Sequence, residues 1–376
     1  MQYTLIAPCY FGTESVLNYE VKKLGATDIQ VTDGKVTFKG DERIIAAANI
    51  NLRTAERVVI LLKEFKARTF DELFDGVYSI NWAKIMPKDA QFPVKGSSLS
   101  STLSSVPACQ KIVKKAIVES LKKGHNTKIL SETGNLYKIR VAIRKDIVSV
   151  MLDTSGDGLH KRGYRRNSGD APIKETLAAA IVDLARVRSD SIIQDPFTGS
   201  GTLLIEAAQK ALNIAPGLKR KFAAEEYAFI PKEIWEEERT KAIMAINRNV
   251  PFKAYGFDID PLVLEIAKQN AQKAGVGSVI SFFEADVKSF SPQSDSVVIT
   301  NPPYGERLGD IDTATQLEKT LSKRLEQNTV KSSYIITADA EFENNFGKKA
   351  TKRRKLYNGM IPCQLYMYYG DKKDKK

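Results

Sequence analysis

Two short blocks of this sequence combine residue types and spacings suited to chemistry on a bound ligand. The first is DPFTGSGT, Asp195–Thr202. It follows an apolar strand and opens a helix. Gly199 and Gly201 carry no Cβ, so backbone can approach a ligand there, and the helix N-terminus favours the ligand's negative end. Asp195, Pro196, Phe197 and Thr202 complete the turn. A dinucleotide site would show G-x-G-x-x-G and an acid ~20 residues on. This block lacks that pattern, and the next strand-end acid is Asp258, beyond a long insertion. Asp258, followed by Ile259, stands where a carboxylate accepts both hydroxyls of a ribose. Asp286, followed by Val287, ends the strand after that and is placed either to accept from an adenine amino group or to cap the next helix.

The second block is NPPYG, Asn301–Gly305, directly after the apolar strand SVVIT. Two consecutive prolines fix the backbone and donate no N–H, which leaves their carbonyls available. The Asn301 side-chain oxygen and the Pro302 carbonyl together suit the two hydrogens of a base amino group, and Tyr304 suits stacking on that base. The bland alternative is an Asn-Pro turn with a buried tyrosine. Both blocks sit at carboxyl ends of strands, where open α/β sheets bind ligands.

Strand–helix alternation after residue 156 predicts the doubly wound parallel sheet that would hold these ends. Strands are expected at 191–195, 254–258, 280–283, 296–300, 333–338 and 363–369, with helices at 201–212 and 261–274 and one near 231–247 in the insertion. Before it lie α+β elements: a strand at 3–7, a helix from Thr13, a hairpin turning at Asp33-Gly34, a helix over 41–50 and a strand at 58–62. A helix at 70–80, a strand at 92–95, a serine-rich loop over 97–105 ending at Pro107, a basic helix from Cys109 to Gly124, and strands at 137–143 and 147–152 follow. The domain limits expected are 1–50, 51–155 and 156–376.

The chain carries 57 Lys plus Arg against 45 Asp plus Glu, a net charge of +12, which favours a polyanionic partner. Lys111, Lys114 and Lys115 on the basic helix are candidate phosphate contacts, with a solvated helix face as the alternative. In the Gly/Arg-rich stretch before the second half, Lys161, Arg162, Arg165 and Arg166 flank Tyr164, a composition that suits phosphate contact with base stacking. Three scattered cysteines and two histidines give neither a disulfide framework nor a metal cluster, so no metal and a reducing cytoplasm are expected. No signal peptide and no membrane span are read. Oligomeric state is left open.

DPFTGSGT, GFDID and NPPYGERLG together resemble the Rossmann-like class I methyltransferases that act on exocyclic amino groups. More narrowly, LHKRGYR, APIKETLAAAI, NPPYGERLG and KLYNGMIPCQL resemble the THUMP-containing RNA guanine-N2 methyltransferases of the RlmL type. The likeness is dense in motifs over 159–369 and architectural before residue 155. It implies a ferredoxin-like piece, a THUMP domain, S-adenosylmethionine as cofactor, and transfer of a methyl group to guanine N2 of RNA, in 23S rRNA ahead of tRNA. It assigns Asp195, Pro196, Phe197, Gly199, Gly201, Thr202, Asp258, Ile259, Asp286, Val287 and Asn301 to the cofactor, and Asn301, Pro302 and Tyr304 to catalysis. Adenine N6 methylation and a non-catalytic RNA-binding role are the competing readings.

Overall fold

The computed structural model describes residues 1–165, 173–303, 311–359 and 361–370. In the first half run β1 (Tyr3–Pro8), α1 (Glu14–Lys23), β2 (Thr27–Thr32), β3 (Lys35–Gly40), α2 (Glu42–Asn51), β4 (Val59–Lys66), α3 (Phe70–Tyr78), β5 (Val94–Leu99), α4 (Val106–Gly124), β6 (Ile139–Arg144) and β7 (Ile147–Asp153). In the second run α5 (Glu175–Leu184), β8 (Ile192–Asp195), α6 (Thr202–Ala211), α7 (Lys232–Met244), β9 (Lys253–Asp258), α8 (Pro261–Ala274), β10 (Ile280–Glu284), β11 (Val297–Thr300), α9 (Ile311–Glu326), β12 (Ser332–Thr337), α10 (Phe342–Phe346), β13 (Lys352–Asn358) and β14 (Ile361–Tyr369). Contacts divide the chain into two units, one of Met1–Pro8, Asn18–Leu159 and Arg220–Lys241, the other of Cys9–Leu17, His160–Lys219 and Ala242–Lys376.

The first unit is built on one seven-stranded sheet, ordered β2-β3-β1-β4-β7-β6-β5. The antiparallel β4–β7 ladder splices the early strands to the later ones, with a bulge between Leu61 and Lys63. Two local expectations fail. Ser97 and Ser98 are not loop: they lie in edge strand β5, paired in parallel with β6. Gly96 makes room there, since a Cβ would lie 3.1 Å from Gln110. Helix α4 begins at Val106, so Pro107 occupies its first turn rather than ending a loop, a position that costs no intrahelical hydrogen bond. The insertion residue Tyr227 is buried in this unit. Its ring stacks on Tyr137 with centroids 4.5 Å apart, and its hydroxyl donates to the Asp153 carbonyl at 2.5 Å.

The second unit carries a seven-stranded sheet ordered β10-β9-β8-β11-β12-β14-β13. Pairing is parallel from β10 through β12 and antiparallel at β14 and β13. Alternate residues feed two cores. Val297, Ile299 and Ile336 join the layer of α5 and α6, whereas Val298 and Ile335 join that of α9 and α10. A strand buried on both faces reads as a continuous apolar run, which is why VVIT is legible as a strand. Strand β13 was not expected. Of its seven residues Leu356 alone is buried, as suits a polar edge strand.

Candidate active site

The carboxyl ends of β8, β9, β10 and β11 open onto one cavity of about 420 Å³. Asp195, Pro196, Phe197, Gly199, Thr202, Asp258, Ile259, Asp286, Val287 and Asn301 all line it. The glycine turn is shaped by backbone demands. Gly199 and Gly201 have φ of +51° and +82°, a region costly to residues with a Cβ. Nothing lies within 4 Å of where a Gly199 Cβ would sit, so that backbone faces open space a ligand can fill. Gly201 is not in the wall but serves packing, for a Cβ there would meet Ala267 at 3.2 Å. The Asp258 carboxylate accepts from the Gly199 N–H at 2.9 Å and the Asp260 N–H at 3.2 Å. Each oxygen keeps acceptor capacity for a hydroxyl. Asp286 caps a short turn by accepting from Lys288 N–H at 2.8 Å, and the residue lines the cavity.

Asp195 is fully buried, and burial pushes its carboxyl up to about 7, with nearby Asp258 raising it further, while bonds from Thr300 and the Phe197 N–H oppose the shift. Asn301 is half-buried and follows β11 directly. Pro302 is buried and Pro303 takes its place in the wall. Tyr304 and Arg166 lie outside the described residues.

The Arg-Tyr stretch requires a correction. Tyr164 and Arg162 are 3% and 4% exposed, which rules them out as a surface for base stacking and phosphate contact. The Tyr164 hydroxyl donates to Glu206 at 3.1 Å, and Arg162 lies 3.5 Å from the same carboxylate. Arg165 donates to the Thr202 hydroxyl at 2.5 Å and the Ile173 carbonyl at 3.2 Å, and it faces Glu175 at 3.5 Å. The stretch thus braces α5 and α6 behind the glycine turn. Glu175 and Glu206, buried acids within largely apolar helices, were the readable signal, because a buried carboxylate requires a partner. Lys161 is exposed. In the first unit Lys111 and Lys115 are exposed, whereas Lys114 bonds Glu132 at 2.6 Å and covers the Phe92 ring at 3.5 Å.

Sequence reasoning missed several wall residues: Ile173, Ser200, Leu203, Val263, Ile266, Ala285 and Leu317. Val263 and Ile266 are three apart on α8, a spacing that also describes a core-facing stripe. Next to Leu317, Glu318 is 1% exposed, and burial holds its carboxyl up at about 7 despite a bond from Asn345. Among the described residues no group of His, Cys, Asp and Glu could hold a metal ion, and no helix is long and apolar enough to cross a membrane.

The parallel sheet with its reversed β14, and the glycine turn and Asn-Pro-Pro block at neighbouring strand ends, define a class I methyltransferase fold. A family model described as "RMKL-like, methyltransferase domain" matches residues 162–367, and the chain belongs to that family. Models for an RlmL ferredoxin-like domain and a THUMP domain match residues 4–59 and 67–153. The chain is 46% identical over 371 residues to the "Putative RNA methyltransferase YpsC" of Bacillus subtilis (strain 168), covering 98% of this chain and 96% of the relative. It resembles the crystal structure of a "predicted N6-adenine-specific DNA methylase" from Listeria monocytogenes str. 4b F2365, with a TM-score of 0.93 and 46% identity over 98% of this chain and 97% of that one. The crystal structure described as "SMU.472, a putative methyltransferase complexed with SAH" matches with a TM-score of 0.93 and 40% identity over 98% of both chains.

Proposed function

We propose that the protein methylates the N2 amino group of a guanine in RNA, with large-subunit 23S rRNA as the substrate and S-adenosylmethionine as the methyl donor. The carrying observation is that Asn301 shares one cavity with Asp195, the Gly199 turn and Asp258. The open space at Gly199 and the two partly occupied oxygens of Asp258 fit the cofactor's backbone and ribose. The cofactor supplies an electrophilic methyl group when bound.

The remaining chemistry falls to the chain. An exocyclic amino nitrogen is a weak nucleophile because its lone pair is delocalised into the base. Acceptance of its hydrogens by the Asn301 side-chain oxygen and the Pro302 carbonyl pulls the nitrogen toward tetrahedral geometry and aims the lone pair into the cavity. Alignment and electrostatics then supply most of the acceleration without a strong base. A base in structured RNA must leave its stack to reach this depth, and Tyr304 is assigned to receive it. The THUMP model match and the RNA methyltransferase name of the Bacillus relative support RNA over DNA. The resemblance of NPPYGERLG supports guanine over adenine, and rRNA over tRNA.

The test is incubation of unmodified rRNA and tRNA with labelled cofactor, then nucleoside mass spectrometry. N2-methylguanosine from rRNA is expected. N6-methyladenosine would transfer the protein to the adenine-N6 reading instead.

A further inference from the structure

The second unit carries a cationic strip that the methyl-transfer site does not use. Strand β13 is the sheet's edge and contains Lys352, Arg353, Arg354 and Lys355 in succession. Arg354 donates to the Gly12 carbonyl at 2.8 Å and so serves the fold. Arg353, Lys355 and Tyr357 alternate on the opposite face, about 6.8 Å apart in sequence. Arg353 reaches Glu343 at 3.4 Å yet stays 61% exposed, and Lys355 is exposed. Tyr357 lies 6.4 Å from Phe11 in an edge-on pair, and the Lys355 ammonium stands 5.6 Å from the Tyr357 ring centre. Phe11 remains 47% exposed.

The register places this strip relative to Asn301. Thr300 pairs with Ile335, Ile335 with Tyr366 and Tyr366 with Arg353. Strands β11 and β13 point the same way, so Lys355 and Tyr357 lie on the sheet rim that also carries Asn301. Three strand spacings separate β11 from β13, roughly 14 Å across the sheet. Lysines on an edge strand also discourage strand addition. That role calls for no aromatic side chain, whereas here a tyrosine and a phenylalanine are held beside the cations. Cations that follow a backbone next to an aromatic ring are the pattern of single-strand binding.

We propose that the face of β13 formed by Arg353, Lys355 and Tyr357, with Phe11 beside it, holds the single-stranded RNA that flanks the target base. The cations take phosphates, and Tyr357 takes a base face. This surface rests on the RNA reading above and adds to it a contact on the methyltransferase sheet itself.

The test measures binding of the full chain to a fluorescein-labelled, mixed-sequence single-stranded RNA across a salt series, with heparin as the comparison polyanion. The double variant Arg353→Gln, Lys355→Gln should flatten the log–log salt slope by about 1.4 and weaken binding about fivefold at low salt. The single variant Lys355→Gln should flatten it by about 0.7, which keeps the proposal testable if the double variant misfolds. Tyr357→Ala should weaken RNA binding more than heparin binding. Calorimetric affinity for S-adenosylhomocysteine should stay unchanged in each variant. Unchanged RNA affinity and slope in variants that still bind S-adenosylhomocysteine would overturn the surface alone. Equal losses for RNA and heparin in Tyr357→Ala would reduce it to a polyanion patch and overturn it likewise. A wild-type protein that binds S-adenosylhomocysteine but no RNA would overturn the RNA reading and this surface with it.

Discussion

The Thr300 hydroxyl donates to the Asp195 carboxylate at 2.6 Å. Thr300 is the last residue of β11 and Asp195 the last of β8. The bond therefore ties the start of the Asn-Pro-Pro block to the start of the glycine turn, and both partners are buried. Each half of the cavity is placed by a residue that belongs to the other half's frame.

If Asp258 accepts the ribose hydroxyls, Asp258→Ala should weaken S-adenosylhomocysteine binding by about 1.5–3 kcal/mol, the loss of a charged acceptor. It should also loosen the turn through the lost Gly199 bond. Isothermal calorimetry on the folded variant measures this, and unchanged affinity would remove the assignment.

Asn301→Ala should leave cofactor affinity within about twofold and lower methyl transfer by about 10²–10³, the usual cost of losing one preorganised polar contact at the reacting group. Single-turnover transfer of a labelled methyl group reads this directly. A parallel loss of cofactor binding would instead make Asn301 a contact of the cofactor.

Asp195, raised to about 7 in the folded protein, sets a pH dependence. The unfolded chain releases this proton near pH ~4, so the ligand-free fold holds it more tightly. The stabilising contribution is whole below about pH 4 and is lost as pH rises through about 7, on the order of 4 kcal/mol. Glu318, likewise raised to about 7, adds in the same direction. A cationic ligand favours ionised Asp195, so cofactor affinity should fall about tenfold from about pH 8 to about pH 6. Asp195→Asn should flatten that profile, and a profile still steep in this variant would place the titration elsewhere.

Arg165→Met should cost about 3–5 kcal/mol by stranding the buried Glu175. Because Arg165 also holds Thr202 at the first turn of α6, cofactor affinity should drop as well. Thermal melts with and without S-adenosylhomocysteine read both effects. The salt slope of RNA binding should stay unchanged, since the side chain is enclosed.

What could be read from the sequence was what the backbone demands strictly. Gly199, Gly201 and the paired prolines announce conformations that few other residues adopt, and doubly buried strands announce themselves as apolar runs. The misreadings share a cause. Arginine beside tyrosine has the same composition on an RNA-binding surface and in an ion-paired core, and only Glu175 and Glu206, distant in sequence, separate the two. Strand β13 offered one inward residue, Leu356, too few for a period. Gly256 in β9 shows the same limit: a Cβ there would meet Phe282 and the Thr198 hydroxyl at 2.8 Å, a crowding that no local pattern announces.

Arg220–Lys241, which interrupts the methyltransferase sequence, belongs structurally to the first unit. Arg220 donates to the carbonyls of Gly158 and Asp157, each at 2.7 Å, and Tyr227 covers Tyr137. During synthesis the first unit therefore leaves the ribosome unfinished. Tyr137 stays uncovered while some ninety further residues are made, and it is closed over only once the start of the methyltransferase sequence has also emerged. The two units mature in an interleaved order, and pulse-labelled nascent chains halted before residue 220 should be cut by protease near Tyr137, whereas chains halted well past Lys241 should resist.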